Sequence, residues 1–241
     1  MPIEISEESG VRSLHFGTPW IQGSMRIARP WSLELEYTQH MMWPLLHFDQ
    51  QDWPEQVLMI GLGSGSMLKF LYRYRPQCRM TVVEIDPQVV HAAHHHFKVP
   101  QANQRLTIEI SDGVKFLEQD KTHYDLILVD GFDHNARAHK LESEPFYLSC
   151  SRHLRTHGML ACNLLTLHKS HATTKRNLLK VFENGFRLLP WCEDGNVVAV
   201  AQNSDWQQDN FKDQREAAKA LRTATHLNLL PLISQIESLG L

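Results

Sequence analysis

Two carboxylates close the apolar run L-I-L-V-D-G-F-D-H, residues 126–134, with only Gly131 and Phe132 between Asp130 and Asp133. An apolar run stopped by acids reads as a buried strand that delivers charge to its carboxyl end. A carboxylate there can orient an attacking amine and share in removing its proton. That step is needed because an amine of pKa about 10 is mostly ammonium at neutral pH. Asp130 is the candidate catalytic group, and Asp133 would add charge for a cationic substrate. The plainer reading is two solvated loop acids.

Three further stretches carry chemistry. G-L-G-S-G-S, residues 61–66, follows the strand-like V-L-M-I and precedes a helical pattern. Gly61, Gly63 and Gly65 let the backbone turn sharply and approach a ligand, and the helix start presents free N–H groups. V-V-E-I-D-P then places Glu84 at the end of the next strand, about twenty residues on, where an acid accepts hydrogen bonds from ribose hydroxyls. Asp86 reads as the N-cap of the following helix, with Pro87 in its first turn. In I-S-D-G, Asp112 either caps its helix or accepts from an adenine amino group, and one carboxylate can do both. The dinucleotide fingerprint G-x-G-x-x-G fails, because Ser66 stands at its last glycine. A G-x-G-x-G loop with an acid closing the second strand is instead the pattern of S-adenosylmethionine-type sites.

These residues need a scaffold, and the patterning supplies one. From Val57 to about Gln202, strand-like runs alternate with helical ones, which predicts a doubly wound, mostly parallel α/β sheet of seven strands. Helices are expected near Ser64–Tyr74, Pro87–His96, Glu144–Leu154 and Lys169–Glu183, with a short one running through Phe116 after R-L-T-I-E-I. F-R-L-L-P-W and N-V-V-A-V-A, separated by C-E-D-G, read as a closing hairpin that adds one antiparallel strand. Residues 1–50 read as a small β-rich domain with a helix at Glu36–His47, residues 51–203 as the nucleoside-binding domain, and residues 204–241 as helices. In the last segment, Leu229, Leu232, Ile233 and Ile236 recur at helical spacing, as core contacts do. Trp20, Trp31, Trp43 and Trp53 are expected in the small domain's core or interface. Phe146 and Tyr147 are candidates for the cleft wall, and Gly131–Ser143 for a lid.

Composition narrows the function class. The formal charge is −3 and the pI near 6.6, so no basic field points to nucleic acid or a membrane surface. No apolar run approaches the roughly 18 residues of a membrane helix, and no secretory signal is visible. Cys78, Cys150, Cys162 and Cys192 lie far apart, as in a reduced, cytoplasmic enzyme. His91, His94 and His95 share a helix face, but without a second ligand cluster they read as a solvated surface, and no metal cofactor is expected.

V-L-M-I-G-L-G-S-G-S, V-V-E-I-D-P, I-S-D-G-V-K-F-L and Y-D-L-I-L-V-D-G-F-D stand in the order and spacing of spermidine synthase and its relatives, the aminopropyltransferases. The resemblance spans about residues 11–200. It implies transfer of an aminopropyl group from decarboxylated S-adenosylmethionine to an amine such as putrescine, in a homodimer. Carried over by position, Glu84 would bind ribose, Asp112 and Gly113 adenine, and Gly61, Gly63, Ser64 and Gly65 would form the cofactor-binding loop. Asp130 would handle the attacking amine, with Gln22, Tyr37 and Asp133 on the acceptor. The chain departs from the family in having Ser64 where the loop is usually acidic, and Tyr37-Thr38-Gln39 where the family has Tyr-His-Glu. A methyltransferase using intact S-adenosylmethionine, or a non-catalytic nucleoside-binding relative, are the other readings.

Overall fold

The computed structural model describes residues 2–47, 53–132, 137–166, 171–192, 195–206 and 210–240. Three strands open the chain: β1 (Glu4–Glu8), β2 (Val11–His15) and β3 (Ile21–Arg26), paired antiparallel in sequence order. Ser9 and Gly10 both take positive φ (50° and 76°), the requirement of a two-residue turn whose twist matches its strands. The helix expected over Glu36–His47 is split into α1 (Glu36–His40) and a 3-10 turn at Trp43–Leu46. Pro44 explains the break, since it lacks the N–H that would bond back to the His40 carbonyl.

The repeating units follow: β4 (Gln56–Ile60), α2 (Ser66–Tyr74), β5 (Arg79–Glu84), α3 (Pro87–His96), β6 (Leu106–Ile110), α4 (Gly113–Gln119) and β7 (Tyr124–Val129). Then come α5 (Glu144–His153), β8 (Leu154–Leu165), α6 (His171–Phe182), β9 (Phe186–Leu188), β10 (Asn196–Gln202), α7 (Phe211–Thr225) and α8 (Leu230–Leu239). The seven strands run β6-β5-β4-β7-β8-β10-β9. All neighbours from β6 to β8 are parallel, and β10 lies antiparallel to both β8 and β9. The closing hairpin therefore inserts its second strand beside β8 and leaves the three-residue β9 at the edge, where a short strand limits unwanted pairing.

Strand order reverses between β4 and β7, and open α/β sheets bind ligands beyond the carboxyl ends of strands at such a point. Both faces of the sheet are covered, which is why its strands are continuous apolar runs. On β7, Leu126 and Leu128 join one core, while Tyr124, Ile127 and Val129 join the other. Leu229, Leu232, Ile233 and Ile236 pack into the first core as their spacing predicts.

Phe146 and Tyr147 are a correction: both lie fully buried in the second core under the sheet and line no cleft. Of the four tryptophans expected in the small domain's core or interface, Trp43 lies in the first core and Trp53 packs against it. Trp43 is buried and stacks on Trp206, centroids 5.4 Å apart, whereas Trp20 is exposed and Trp31 lies under the Arg73 guanidinium.

Candidate active site

The glycine-rich loop is held against the end of β7. Gly61 has φ +97°, and a Cβ there would stand 2.2 Å from the Asp130 carbonyl oxygen, so no larger residue fits. Asp130 N–H donates to the Ile60 carbonyl (2.8 Å) and Gly61 N–H to the Val83 carbonyl (2.9 Å), stitching three strand ends together. Gly65 caps α2 with φ +67°, closing a turn onto the Leu62 carbonyl.

Glu84 is buried at the end of β5. It accepts from the Leu62 N–H through Oε2 (2.9 Å) and from the Asp86 N–H through Oε1 (3.0 Å). Burial raises its pKa, against the pull of these backbone donors. Each oxygen takes one of these bonds and keeps acceptor capacity for a ligand hydroxyl. Asp86 caps α3 through Gln88 N–H, as its position predicts.

Asp112 caps α4, one oxygen accepting from the N–H groups of Val114 and Lys115. Its capping role is thus visible, and both capping bonds fall on the same oxygen. A Cβ on Gly113 would lie 2.5 Å from Ile60 Cγ2, which keeps the start of α4 against β4. Ile85 and Ile110 flank this edge and are mostly exposed, at 66% and 57%.

Asp130 is reached from both sides. Tyr37 on α1 donates its hydroxyl to Oδ2 (3.0 Å), and Asn163 on β8 donates Nδ2–H to Oδ1 (2.8 Å). Burial pushes the carboxyl pKa up, and the two hydrogen bonds oppose that shift. The carboxylate borders a cavity of about 20 Å³ whose other walls include Gln22, Tyr37, Thr38, Gly63 and Met67.

Ser64 is 2% exposed and pinned between the loop and the small sheet. Its Oγ lies 2.9 Å from Ser66 Oγ, which in turn donates to the Ser24 carbonyl (2.8 Å). A Cβ on Gly23 would come within 2.5 Å of Ser64 Oγ.

The fold thus gathers Gln22, Tyr37, Gly61, Gly63, Ser64 and Asp130 around one cavity. Gly65, Glu84, Asp112 and Gly113 stand along the same sheet edge. Asp133 lies outside the described residues, as does part of the lid segment Gly131–Ser143. The rest of that segment includes a 3-10 turn at His139–Glu142, whose Leu141 sits against Gly131 and Gly113. Asn163 escapes the sequence reading, although an amide inside the apolar run G-M-L-A-C-N-L-L was its signal. Among the described residues, no three His, Cys, Asp or Glu side chains converge on a metal site. All four cysteines are buried, and none of them forms a disulfide.

The spermine/spermidine synthase domain model matches residues 36–192. The chain belongs to that family. A polyamine aminopropyltransferase of Chromobacterium violaceum is 37% identical over 98% of this chain and 89% of its own length. The polyamine aminopropyltransferase of Neisseria meningitidis is 33% identical over the same shares. A probable spermidine synthase from Corynebacterium glutamicum shares the fold, with a TM-score of 0.75 at 19% identity, covering 91% of this chain and 83% of that one. The matched segment runs from α1, with Tyr37, to the end of β9's hairpin arm. It therefore takes in Asp130 with both of its donors, Tyr37 and Asn163, though not Gln22, and makes the chain an enzyme of a synthase family.

Proposed function

We propose that this enzyme transfers an aminopropyl group from decarboxylated S-adenosylmethionine to a small-molecule amine such as putrescine. The observation that carries the reading is Asp130, a half-buried carboxylate beside the glycine-rich loop with each oxygen already oriented, by Tyr37 and by Asn163. In the reaction the amine nitrogen attacks the carbon next to the sulfonium in line. A C–N bond forms, the C–S bond breaks, and the sulfur leaves as a neutral thioether. The protein's task is to align the pair, keep water away, and take up the ammonium proton before attack.

Glu84 accepts from the ribose hydroxyls, Asp112 and Gly113 meet the adenine edge, and Ile85 and Ile110 supply apolar walls for the ring. Gly61, Gly63, Ser64 and Gly65 bring backbone close to the sulfonium tail. Gln22, Tyr37 and Asp133 line the acceptor's path. A homodimer, residence in the reducing cytoplasm and the absence of a nucleic-acid or membrane partner belong to the same proposal. No described helix is long and apolar enough to cross a membrane.

One observation favours a second reading, methyl transfer from intact S-adenosylmethionine. Position 64 offers a buried serine, which neither attracts the ammonium tail nor repels the carboxylate of the intact nucleoside. Calorimetry with the two nucleosides separates the readings. Preference for the decarboxylated form supports aminopropyl transfer. Tight binding of the intact form alone would sink it, and binding of neither would sink both.

A further inference from the structure

Asn163 is the one amide in the apolar stretch of β8, residues 158–165. Its neighbours alternate, with Leu160, Cys162 and Leu164 in the second core and Met159 and Ala161 in the first. Asn163 therefore faces the first core, the side on which Tyr37 lies. Its Nδ2 donates to Asp130 Oδ1 at 2.8 Å. An ionised carboxylate only accepts, so the amide presents nitrogen to Asp130 and turns its carbonyl oxygen elsewhere. That oxygen, Oδ1, is buried without a hydrogen-bond partner among the described residues, and Asn163 as a whole is 6% exposed. A desolvated acceptor without a donor is costly and rare, so this one calls for a donor that the chain does not supply. The two ends of an amide are so close that Oδ1 lies within about 5 Å of the carboxylate oxygen, a gap that one nitrogen hydrogen-bonded to both can span.

We infer that Asn163 Oδ1 accepts an N–H of the attacking amine and makes the site selective for primary over secondary amines. The inference rests on the aminopropyl-transfer reading. Once an ammonium group has given a proton to Asp130, a primary amine keeps two N–H bonds beside the lone pair that attacks. An Asp130 oxygen and Asn163 Oδ1 take one each, which fixes the nitrogen's orientation and aims the lone pair at the sulfonium carbon. A secondary amine has a single N–H, and its second alkyl group leaves one of the two acceptors unpaired.

The test compares putrescine with N,N′-dimethylputrescine, both of whose nitrogens are secondary, as acceptors from decarboxylated S-adenosylmethionine. The parent should prefer putrescine in kcat/KM. Asn163→Leu keeps the side chain's shape, opens no space for a methyl group and removes the acceptor. It should shrink the preference by about tenfold, the effect of one hydrogen bond. Asn163→Asp keeps an oxygen in the same place, and should lose rate with both amines yet retain the preference. Calorimetric binding of the nucleoside shows that each variant is folded. An equal loss with both amines in Asn163→Leu is what a role confined to holding Asp130 predicts, and it would overturn the inference. So would a parent without preference, or loss of the preference in Asn163→Asp. No transfer to either amine by the parent would refute the transfer reading itself, and the role of Asn163 with it.

Discussion

In the proposed reaction Asp130 is the residue on which the chemistry turns, and its two donors make separate predictions possible. Asp130→Asn should keep nucleoside affinity and cut turnover by about 10²-fold or more, the usual contribution of a positioned acid–base group. Calorimetry and initial rates read the two halves, and unchanged turnover would remove Asp130 from the mechanism. Tyr37→Phe removes a hydrogen bond that holds the carboxyl pKa down. The group must be ionised to accept a proton, so activity falls as pH drops through its pKa. Without the tyrosine that pKa rises, and the acidic limb of the pH–rate profile should move to higher pH. Asp130 was legible because its neighbours in sequence are uniformly apolar. Its partners were legible only in part: Tyr37 came from the family pattern, and Asn163 sits 33 positions away on a strand that periodicity alone paints as core.

At the scale of elements, the loop and helix α2 carry two further expectations. Gly61→Ala would drive a Cβ into the Asp130 backbone in a conformation that L side chains rarely adopt. It should cost about 1–3 kcal/mol of stability in denaturant melts, with a matching loss of activity as the loop backs away from β7. Lys69, on α2, is buried and donates Nζ–H to the Phe97 carbonyl at the end of α3 (2.9 Å). Burial, helped by nearby Lys98, lowers its pKa to about 7. As pH falls from about 10 toward 7, the unfolded chain binds a proton there that the folded chain refuses, so stability declines across that window and levels off below it. Lys69→Met should flatten that slope in melting curves taken at both ends, and an unaltered slope would refute the assignment. Strand and helix types were readable along this stretch because period-two, continuous-apolar and capped-helix patterns do not overlap. The α1 break was not, since Glu36–His47 keeps helical spacing across Pro44.

For the whole molecule, the pieces are tied by contacts that no local pattern announces. Trp206, just ahead of α7, stacks on Trp43 beside the small sheet and lies under the Arg187 guanidinium, 4.8 Å from its ring centroid. Trp206→Ala should lower the denaturant midpoint by the equivalent of about 2–3 kcal/mol, somewhat less than for a fully enclosed tryptophan. A nucleoside that binds the folded chain at a hundred times its Kd should add about 2.7 kcal/mol. Thermal shift with each donor therefore ranks them independently of turnover. The sheet's handed order followed from strand–helix alternation, while β10's place inside the hairpin followed from pairing partners more than thirty residues away.

The serine seam joining the loop to β3, from Ser64 through Ser66 to the Ser24 carbonyl, means that the two walls of the cavity form one mechanical piece. Occupancy of the nucleoside side should then be felt across the seam. In hydrogen–deuterium exchange, the amides of β3 should slow together with those of residues 61–66 when only the donor is present, before any acceptor enters.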